Sequence, residues 1–543
     1  MQIAKKHVLD YPVLLFALLA GLLLYLFLFA PTTVTLDGYS HLYGGKALGW
    51  MLGGHSDVHN AFFYNSILLP NWICPLFLAA LSTVVSNELA LRLLIVLIGT
   101  ALLLSLYSCI DAAQYHPRQR AQLLIILLPF ALNAYLTLGF YGFLISSSMC
   151  IFALSLLLRH GLNMPLRLQF VTAVLLLAAY FSNPLPVLLS LLFPCIHLIA
   201  DAGVQWGHGL RGSATALKRH ALGIWPWVPP ACLISWFYLR LARMGEPHAY
   251  SVAYRVKHRA MALATDALLS ISPTPSVGTL FIALLSILLA GVLLHAPELF
   301  VRCRHRFTSI AMLVVSTMVL YLIVPDQVGD GTEIANRFLL YSGLFLVLLA
   351  VTGGVFDPRF LTLCSVVAAL SVVGFAGEYL VVSRSLAPAV AELGVAMERV
   401  PRHSRILILG YRMTPSCRGW PLLDRSIPER HWALGSALGK ELIVLNDYQA
   451  YSSVFPLKYS RMQSKALVNE VSLSSEWRTA AWSDVLKSDF DVDFVVSWGT
   501  PSIGAVPCPN PLSPPFDDVL RVGYDLVFSN KITSRVELWR RRS

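Results

Sequence analysis

A carboxylate and an imidazole lie close together near the start of the chain, in the segment Leu36-Asp37-Gly38-Tyr39-Ser40-His41. Asp37 and His41 are spaced i, i+4, so on a helix their side chains share one face. Such a carboxylate could accept the proton of an attacking hydroxyl group or hold a divalent cation against a phosphate. Because an apolar run at 11–30 comes shortly before this segment, the chemistry would take place at a membrane surface.

Asp37 also has a structural interpretation. Residues 38–52 form a helical-looking run, and an aspartate directly before a helix is a favoured N-cap because its side chain accepts a backbone N–H. The two roles are compatible, and the residue types alone favour neither.

Potential metal ligands occur in the segment His55-Ser56-Asp57-Val58-His59. His55, Asp57 and His59 occupy alternate positions, so in an extended chain they would point to one side and could bind a metal ion. A solvated loop is the commoner explanation of such a segment. A divalent cation, Mg²⁺ or Mn²⁺, is the one cofactor that the sequence leaves open.

Cations that could bind a phosphate group occur at two places. Arg255 and Lys257 lie in a basic stretch, 242–276, where charge-assisted bonds to phosphate and contact with anionic lipid headgroups explain them equally well. Arg337 lies where a later apolar run enters the membrane, and Asp330 or Glu333 could orient it toward a phosphate. A local ion pair, or snorkelling of the arginine to the headgroups, is the structural alternative.

The elements that must position these residues are membrane helices. Of 543 residues, 56% are hydrophobic and 13% charged, whereas soluble domains carry about 25% charged residues. Apolar runs of about 20 residues, long enough to cross ~30 Å of hydrocarbon, account for the difference. Eleven runs predict membrane spans at 11–30, 89–109, 121–139, 142–159, 169–182, 186–204, 223–241, 277–295, 308–324, 338–354 and 361–382.

A further apolar run, 67–85, is ambiguous because it contains Pro70, Asn71 and Pro75. If this run does not span, most Arg and Lys residues of the short loops fall on the cytoplasmic side, as the positive-inside rule requires. The sequence therefore predicts a cytoplasmic N-terminus and a long first outer loop, 31–88, with interfacial helices. The basic loops also explain the net charge of +11, so nucleic acid is not an expected partner.

An odd number of spans places residues 383–543 outside the cytoplasm, as a domain separate from the transmembrane module 1–382. A helical pattern at 476–487 and strand-like runs predict an α/β fold there, with the strands at 405–411, 442–446, 493–497, 525–528 and 536–539. Cys417 and Cys508 could form a disulfide in that oxidising compartment.

This layout resembles the GT-C class of membrane glycosyltransferases, which includes protein O-mannosyltransferases and bacterial aminoarabinose transferases. The shared features are an acidic residue early in a long first outer loop, interfacial helices in that loop, a many-span core, and an extracytoplasmic C-terminal domain. The resemblance covers the span architecture of 1–382, and its residue-level motif is Asp37 in Leu36-Asp37-Gly38-Tyr39-Ser40-His41.

The resemblance implies inverting transfer of a sugar from a polyprenyl-phosphate donor to a glycan, lipid or protein acceptor at the outer face of the bacterial inner membrane. Asp37 would take the acceptor proton, with His41 near the substrate. Arg337 is the first choice for holding the leaving phosphate, and Arg255 or Lys257 the second. Many relatives carry a second acidic residue after the third span, whereas the turn 133–142 has none here. This departure puts a two-carboxylate metal site in doubt.

Three other classes of protein compete with this interpretation. A transporter or lipid flippase would usually show internal repeats and ionisable groups near mid-membrane, and the sequence has no recognisable repeat. An O-antigen-type polymerase or ligase would place its large outer loop between late spans. A non-catalytic assembly protein with a sensing C-terminal domain is the third alternative.

Overall fold

A computed structural model describes residues 11–112, 117–205, 223–243, 251–271, 275–327, 333–352, 357–410, 434–445, 447–451, 455–459, 492–500, 520–530 and 535–542. The described chain is mostly helical. Its α-helices are α1 (Tyr11–Phe29), α2 (Gly38–Leu52), α3 (Ser56–Ala61), α4 (Ile73–Leu81), α5 (Asn87–Ala112), α6 (Pro117–Ala131), α7 (Ala134–Leu138), α8 (Tyr141–His160), α9 (Leu166–Ser182), α10 (Pro184–Ser190), α11 (Leu192–Gln205), α12 (Val228–Arg243), α13 (Val252–Ile271), α14 (Pro275–Ile323), α15 (Ile334–Val351), α16 (Pro358–Met397) and α17 (Tyr448–Tyr451).

Nine helical segments within the described ranges are long and apolar enough to cross a membrane. They are Tyr11–Phe29, Asn87–Asp111, Gln119–Leu138, Tyr141–Asn163, Pro184–Asp201, Val277–Val301, Arg304–Ile323, Ile334–Val351 and Pro358–Met397. Each coincides with a predicted span, so the chain is a multi-pass helical membrane protein. The other two predicted spans correspond to α9 and α12, which have 17 and 16 residues. At 1.5 Å per residue these helices are about 25 Å long, short of the ~30 Å hydrocarbon core.

Contacts group the chain into two compact units. The first, called the helical unit, comprises Met1–Leu26, Val96–Tyr135 and Gly142–Gly377. The second, called the loop-and-sheet unit, comprises Phe27–Ile95, Leu136–Tyr141 and Glu378–Ser543. The first outer loop thus belongs with the C-terminal region, whereas the predicted domain boundary at residue 382 stays a prediction.

The core of the helical unit forms around α15. Nearly all of its side chains are buried, as expected for a helix that is apolar on every face. Gly343 on α15 lets the ring of Phe130 approach closely, because a Cβ there would lie 3.1 Å from a ring carbon. Phe130 in turn packs edge-to-face on Phe281 of α14, with ring centroids 4.7 Å apart.

Helix α14 contains two of the predicted spans, at Val277–Val301 and Arg304–Ile323. Leu285 of the first span lies against Gly343 of α15, and Thr317 of the second span accepts a hydrogen bond from Ser342, the residue before that glycine. In a continuous helix residues 285 and 317 would be about 48 Å apart, so the chain reverses direction between the two spans. The prediction of two spans is confirmed, and the predicted loop with Arg302, Arg304 and Arg306 is helical.

In the loop-and-sheet unit, α2 packs against α4 through a close backbone approach. A Cβ at Gly45 would lie 2.8 Å from Leu78 Cβ and 3.0 Å from the Pro75 carbonyl oxygen, so a glycine is needed there. Helix α4 has nine residues and is about 13 Å long. It cannot cross the bilayer, which agrees with the prediction that the run 67–85 does not span.

Five strands of the C-terminal region form a mixed sheet. The strands are β2 (Arg405–Gly410), β3 (Ile443–Val444), β5 (Phe494–Thr500), β6 (Tyr524–Asn530) and β7 (Arg535–Arg541), in the order β3-β2-β5-β7-β6. Strand β2 is parallel to β3 and β5, and the other neighbours are antiparallel. All five predicted strands are thus present. The predicted helix 476–487, Cys417 and Cys508 lie outside the described residues.

A separate two-stranded ladder joins the first outer loop to the C-terminal region. Strands β1 (Phe62–Tyr64) and β4 (Leu457–Tyr459) pair antiparallel, with Phe62 opposite Tyr459. The rings of these two residues stack with centroids 4.9 Å apart. The pairing accounts for the placement of both segments in one unit.

Candidate functional site

The chain that leads into Asp37 is fixed residue by residue within the loop-and-sheet unit. Four consecutive residues bond side chains that are distant in sequence. Thr32 N–H donates to Ser383 Oγ (2.9 Å), and Thr33 Oγ1 donates to Glu88 Oε1 (2.5 Å). Val34 N–H donates to the Tyr379 hydroxyl (2.9 Å), and Thr35 Oγ1 lies 2.9 Å from the Tyr141 hydroxyl. The next two N–H groups, of Leu36 and Asp37, donate to the carbonyls of Thr137 (2.8 Å) and Leu138 (3.1 Å). This run of bonds fixes the backbone position of Asp37.

Gly139 lets a neighbouring turn lie directly against Asp37. Its φ of +83° is in the region that favours glycine. A Cβ at this position would lie 2.9 Å from Gly38 N and 3.0 Å from both N and Cβ of Asp37. No larger residue fits, so the turn that contains Gly139 is part of the Asp37 site.

Asp37 occupies the N-cap position of α2, as the structural interpretation predicts. Within the described chain, however, its side chain accepts no capping hydrogen bond from α2. The residue is half-buried, and it interacts electrostatically with the Tyr141 hydroxyl. The carboxylate is therefore held at a helix N-terminus, where negative charge is stabilised.

His41 is predicted to lie near substrate, but its imidazole is packed inside protein and only 7% exposed. Nε2 of Gln449 lies 3.0 Å from Nδ1 of the ring, and the ring also bonds the Gly139 backbone. Burial lowers the pKa of His41 from its ordinary value of 6.5 to about 4, and the bond to Gly139 opposes that shift. The imidazole is thus neutral near pH 7. A role in binding substrate stays a prediction.

The contacts of α2 with the C-terminal region were not foreseen from the sequence. Ser40 Oγ donates to Oδ1 of Asp447, and the Tyr43 hydroxyl accepts from Val444 N–H at 2.8 Å. Asp447 is only 2% exposed. A lone aspartate in a polar stretch carries no signal in the sequence that pairs it with a helix some 400 residues earlier.

Arg337 lies in the first turn of α15 and is 8% exposed. Its guanidinium carbon is 5.1 Å from the centre of the Phe143 ring, close enough for a cation–π interaction. Tyr135, Glu333 and Asp326 lie near enough to interact with it electrostatically. The predicted acidic partner Glu333 is therefore close to Arg337. Asp330, the alternative partner, lies outside the described residues.

Helix α13 carries both exposed and buried basic residues. Lys257 is exposed and Arg255 partly exposed, so both are reachable, as the phosphate and headgroup interpretations require. Arg259 instead is 7% exposed, and its Nη1 donates to the carbonyls of Tyr321 and Val324 at the end of α14. Arg259 thus stabilises a helix C-terminus.

The extended conformation considered for His55, Asp57 and His59 is not found, because residues from Ser56 to Ala61 are helical. A metal site at these residues stays a prediction. His55 Nδ1 lies 3.8 Å from Oε2 of Glu441. Among the side chains that the structure describes, which do not include that of Asp57, no three His, Cys, Asp or Glu residues are arranged to hold a metal ion.

The candidate residues fall into two groups. Asp37 and His41 belong to the loop-and-sheet unit, and Arg255, Lys257, Glu333 and Arg337 belong to the helical unit. Comparison with known proteins adds no assignment, because no protein-family model and no curated protein matches the sequence.

Proposed function

We propose that the chain is a polytopic, GT-C-like inverting glycosyltransferase that moves a sugar from a polyprenyl phosphate to an acceptor hydroxyl. The observation that carries the proposal is the backbone of residues 32–37, which hydrogen bonds fix residue by residue up to the half-buried Asp37. A general base must be held within a few tenths of an ångström of its productive position, because small misplacements lose large factors in rate. Such anchoring is more than a helix cap requires.

In this reaction Asp37 accepts the proton of the acceptor hydroxyl as its oxygen attacks the anomeric carbon. The bond between that carbon and the phosphate oxygen breaks, and the lipid phosphate leaves with the electron pair. Direct displacement inverts the anomeric configuration. A positioned general base contributes about 100- to 10,000-fold to the rate of such a step.

Arg337 is the proposed partner of the leaving phosphate. A buried guanidinium at the end of a membrane span is costly, and such groups are functional candidates by default. Phe143 packs on one face of the guanidinium and Glu333 lies close by, which supports a fixed orientation. The fork of N–H donors suits phosphate oxygens, whose negative charge grows as the lipid leaves.

The proposal includes a topology of eleven spans in the cytoplasmic membrane of a bacterium. The N-terminus lies in the cytoplasm, and the first outer loop and residues 383–543 lie outside. The acceptor is a glycan, lipid or protein, and a divalent cation is not required by the roles given to Asp37 and Arg337. The contacts between the first outer loop and the C-terminal region support placing both on the same side.

The test is turnover of a panel of polyprenyl-phosphate sugars by the purified full chain in nanodiscs, with glycan, lipid and peptide acceptors. We expect release of the lipid phosphate from at least one donor. Asp37→Asn should abolish it, and Asp357→Asn is the matched control. Folded wild-type protein that turns over no donor would overturn the enzyme assignment. Full activity of Asp37→Asn would instead favour the polymerase or the assembly protein.

A further inference from the structure

We infer that Gln449 is a positioning residue for this reaction, which acts on Asp37 through His41 and the Gly139 turn. The inference rests on the proposed function. It gives the C-terminal residues 442–445 and 447–451 a part in the Asp37 site. No feature of the local sequence around Gln449 indicates such a part.

Gln449 contacts α2 through its side-chain amide. Its amide nitrogen lies 3.0 Å from His41 Nδ1, and the residue is only 3% exposed. One residue earlier on α2, Ser40 donates to Asp447. Two successive residues of α2 are therefore bound by alternate residues of one segment.

Hydrogen bonds also fix the described residues on the N-terminal side of Gln449. The Tyr43 hydroxyl donates to the Leu442 carbonyl at 3.1 Å and accepts from Val444 N–H at 2.8 Å. The Tyr459 hydroxyl donates to the Val444 carbonyl and accepts from Asp447 N–H at 3.2 Å. The backbone that leads to Gln449 is thus held in place by hydrogen bonds.

His41 is in turn linked to the proposed base, Asp37. A neutral imidazole has one donor nitrogen and one acceptor nitrogen. When Gln449 donates to Nδ1, the other nitrogen carries the proton, and this nitrogen is then the donor available for the bond between the ring and the Gly139 backbone. Gly139 lies against N and Cβ of Asp37, and the adjacent Leu138 carbonyl accepts Asp37 N–H. Gln449 therefore fixes the tautomer that holds this turn in place.

The experiment compares donor turnover by wild type, Gln449→Leu and Gln449→Glu in nanodiscs. Gln122→Leu is the matched control, because Gln122 is also buried and its amide donates to Thr362 at 2.9 Å in the helical unit. We expect Gln449→Leu to lower kcat at least tenfold while KM for the donor stays within twofold. Gln122→Leu should retain wild-type kcat.

The pH dependence of the activity of Gln449→Glu distinguishes the proposed role of Gln449 from a packing effect. A carboxylate accepts the Nδ1 proton, so both imidazole bonds form only when His41 is protonated. The activity of this variant relative to wild type should therefore rise as the pH is lowered from 8 to 6. It also serves as the second variant if Gln449→Leu does not fold.

The outcomes separate the two proposals. An inactive wild type removes the proposed function and the inference with it. An active wild type with unchanged kcat in Gln449→Leu overturns the inference alone, as does a rise in KM with kcat unchanged. A pH profile of Gln449→Glu parallel to wild type would contradict the role given to the tautomer.

Discussion

Asp37 in the loop-and-sheet unit is held through its backbone, whereas Arg337 in the helical unit is surrounded at its side chain. The N–H of Asp37 bonds Leu138, and the residues before it bond side chains from other parts of the chain. The guanidinium of Arg337 packs on Phe143 and lies near Glu333.

The difference matches two kinds of chemistry. A base that takes a proton must meet its substrate at a fixed point, and anchoring the backbone achieves this without covering the carboxylate. A cation that binds a phosphate gains strength from a low-dielectric setting, because charge interactions are stronger there. Aromatic rings around a buried guanidinium provide such a setting.

A second comparison concerns two aspartates at helix starts. Asp357 precedes α16 in the helical unit, and its Oδ1 accepts Arg359 N–H at 2.9 Å. Asp37 precedes α2 without such a bond from the helix. The same residue type at the same helix position therefore makes different hydrogen bonds, and substitution by asparagine tests whether the two aspartates also differ in role.

The largest effect is expected for Asp37→Asn. Asparagine keeps the size of the side chain but is not a base, so donor turnover should fall about 100- to 10,000-fold. Asp357→Asn keeps a capping oxygen and should leave turnover unchanged. Lipid phosphate release measures the rates, and thermal unfolding shows whether both variants fold. Equal loss in the two variants would remove the distinction between the aspartates.

The next effect is expected for Arg337→Leu, which removes the proposed phosphate ligand. The kcat/KM for the donor should fall about 100-fold, as for the loss of one strong electrostatic contact in a transition state. Arg240→Leu is the matched control, because its guanidinium lies 5.7 Å from the Trp236 ring but is partly exposed on α12. A similar loss in the control would point to packing of the helical unit.

A moderate effect is expected for Gly139→Ala. The added Cβ would contact Gly38 and Asp37 at 3.0 Å or less and force a strained φ, which destabilises by about 1–3 kcal/mol. The thermal unfolding midpoint and turnover should both fall. Gly99→Ala on α5 has open space around it and should be neutral or stabilising by about 0.5–1 kcal/mol. An unchanged midpoint in Gly139→Ala would show that the turn does not constrain Asp37.

The last prediction is a dependence of stability on pH through His41. Its pKa is lowered to about 4 in the folded protein, so between pH 6.5 and 4 the unfolded chain binds more protons and stability falls as the pH falls. A shift from 6.5 to about 4 corresponds to about 3 kcal/mol at most. The unfolding midpoint of wild type should drop across this window more than that of His41→Phe. Parallel curves for the two proteins would contradict the buried neutral imidazole.

The sequence predicted what local pattern and length determine. Nine spans follow from the length of apolar runs, and the five sheet strands from short β-branched runs between turn residues. The position of Asp37 before a helix and the closeness of Glu333 to Arg337 were also predictable, because both follow from spacing along the chain.

The long-range contacts of the residues around Asp37 in the sequence were not predictable in the same way. Ser383, Tyr379 and Gln449 come from segments more than 340 residues away, and one sequence carries no signal of such pairings. The extended conformation considered for residues 55–59 was wrong for a local reason, because residues 56–61 form a short helix instead. The shortness of α9 and α12 depends on where the helices end, which periodicity fixes poorly.

The central claim is tested most directly by analysing the products of one reaction with wild type and Asp37→Asn. Lipid phosphate and the new glycoside are quantified together, and the anomeric configuration is read by NMR. We predict equal amounts of both products with inverted configuration from wild type, and neither product from Asp37→Asn. Retained configuration, or product formation by Asp37→Asn at the wild-type rate, would contradict the account.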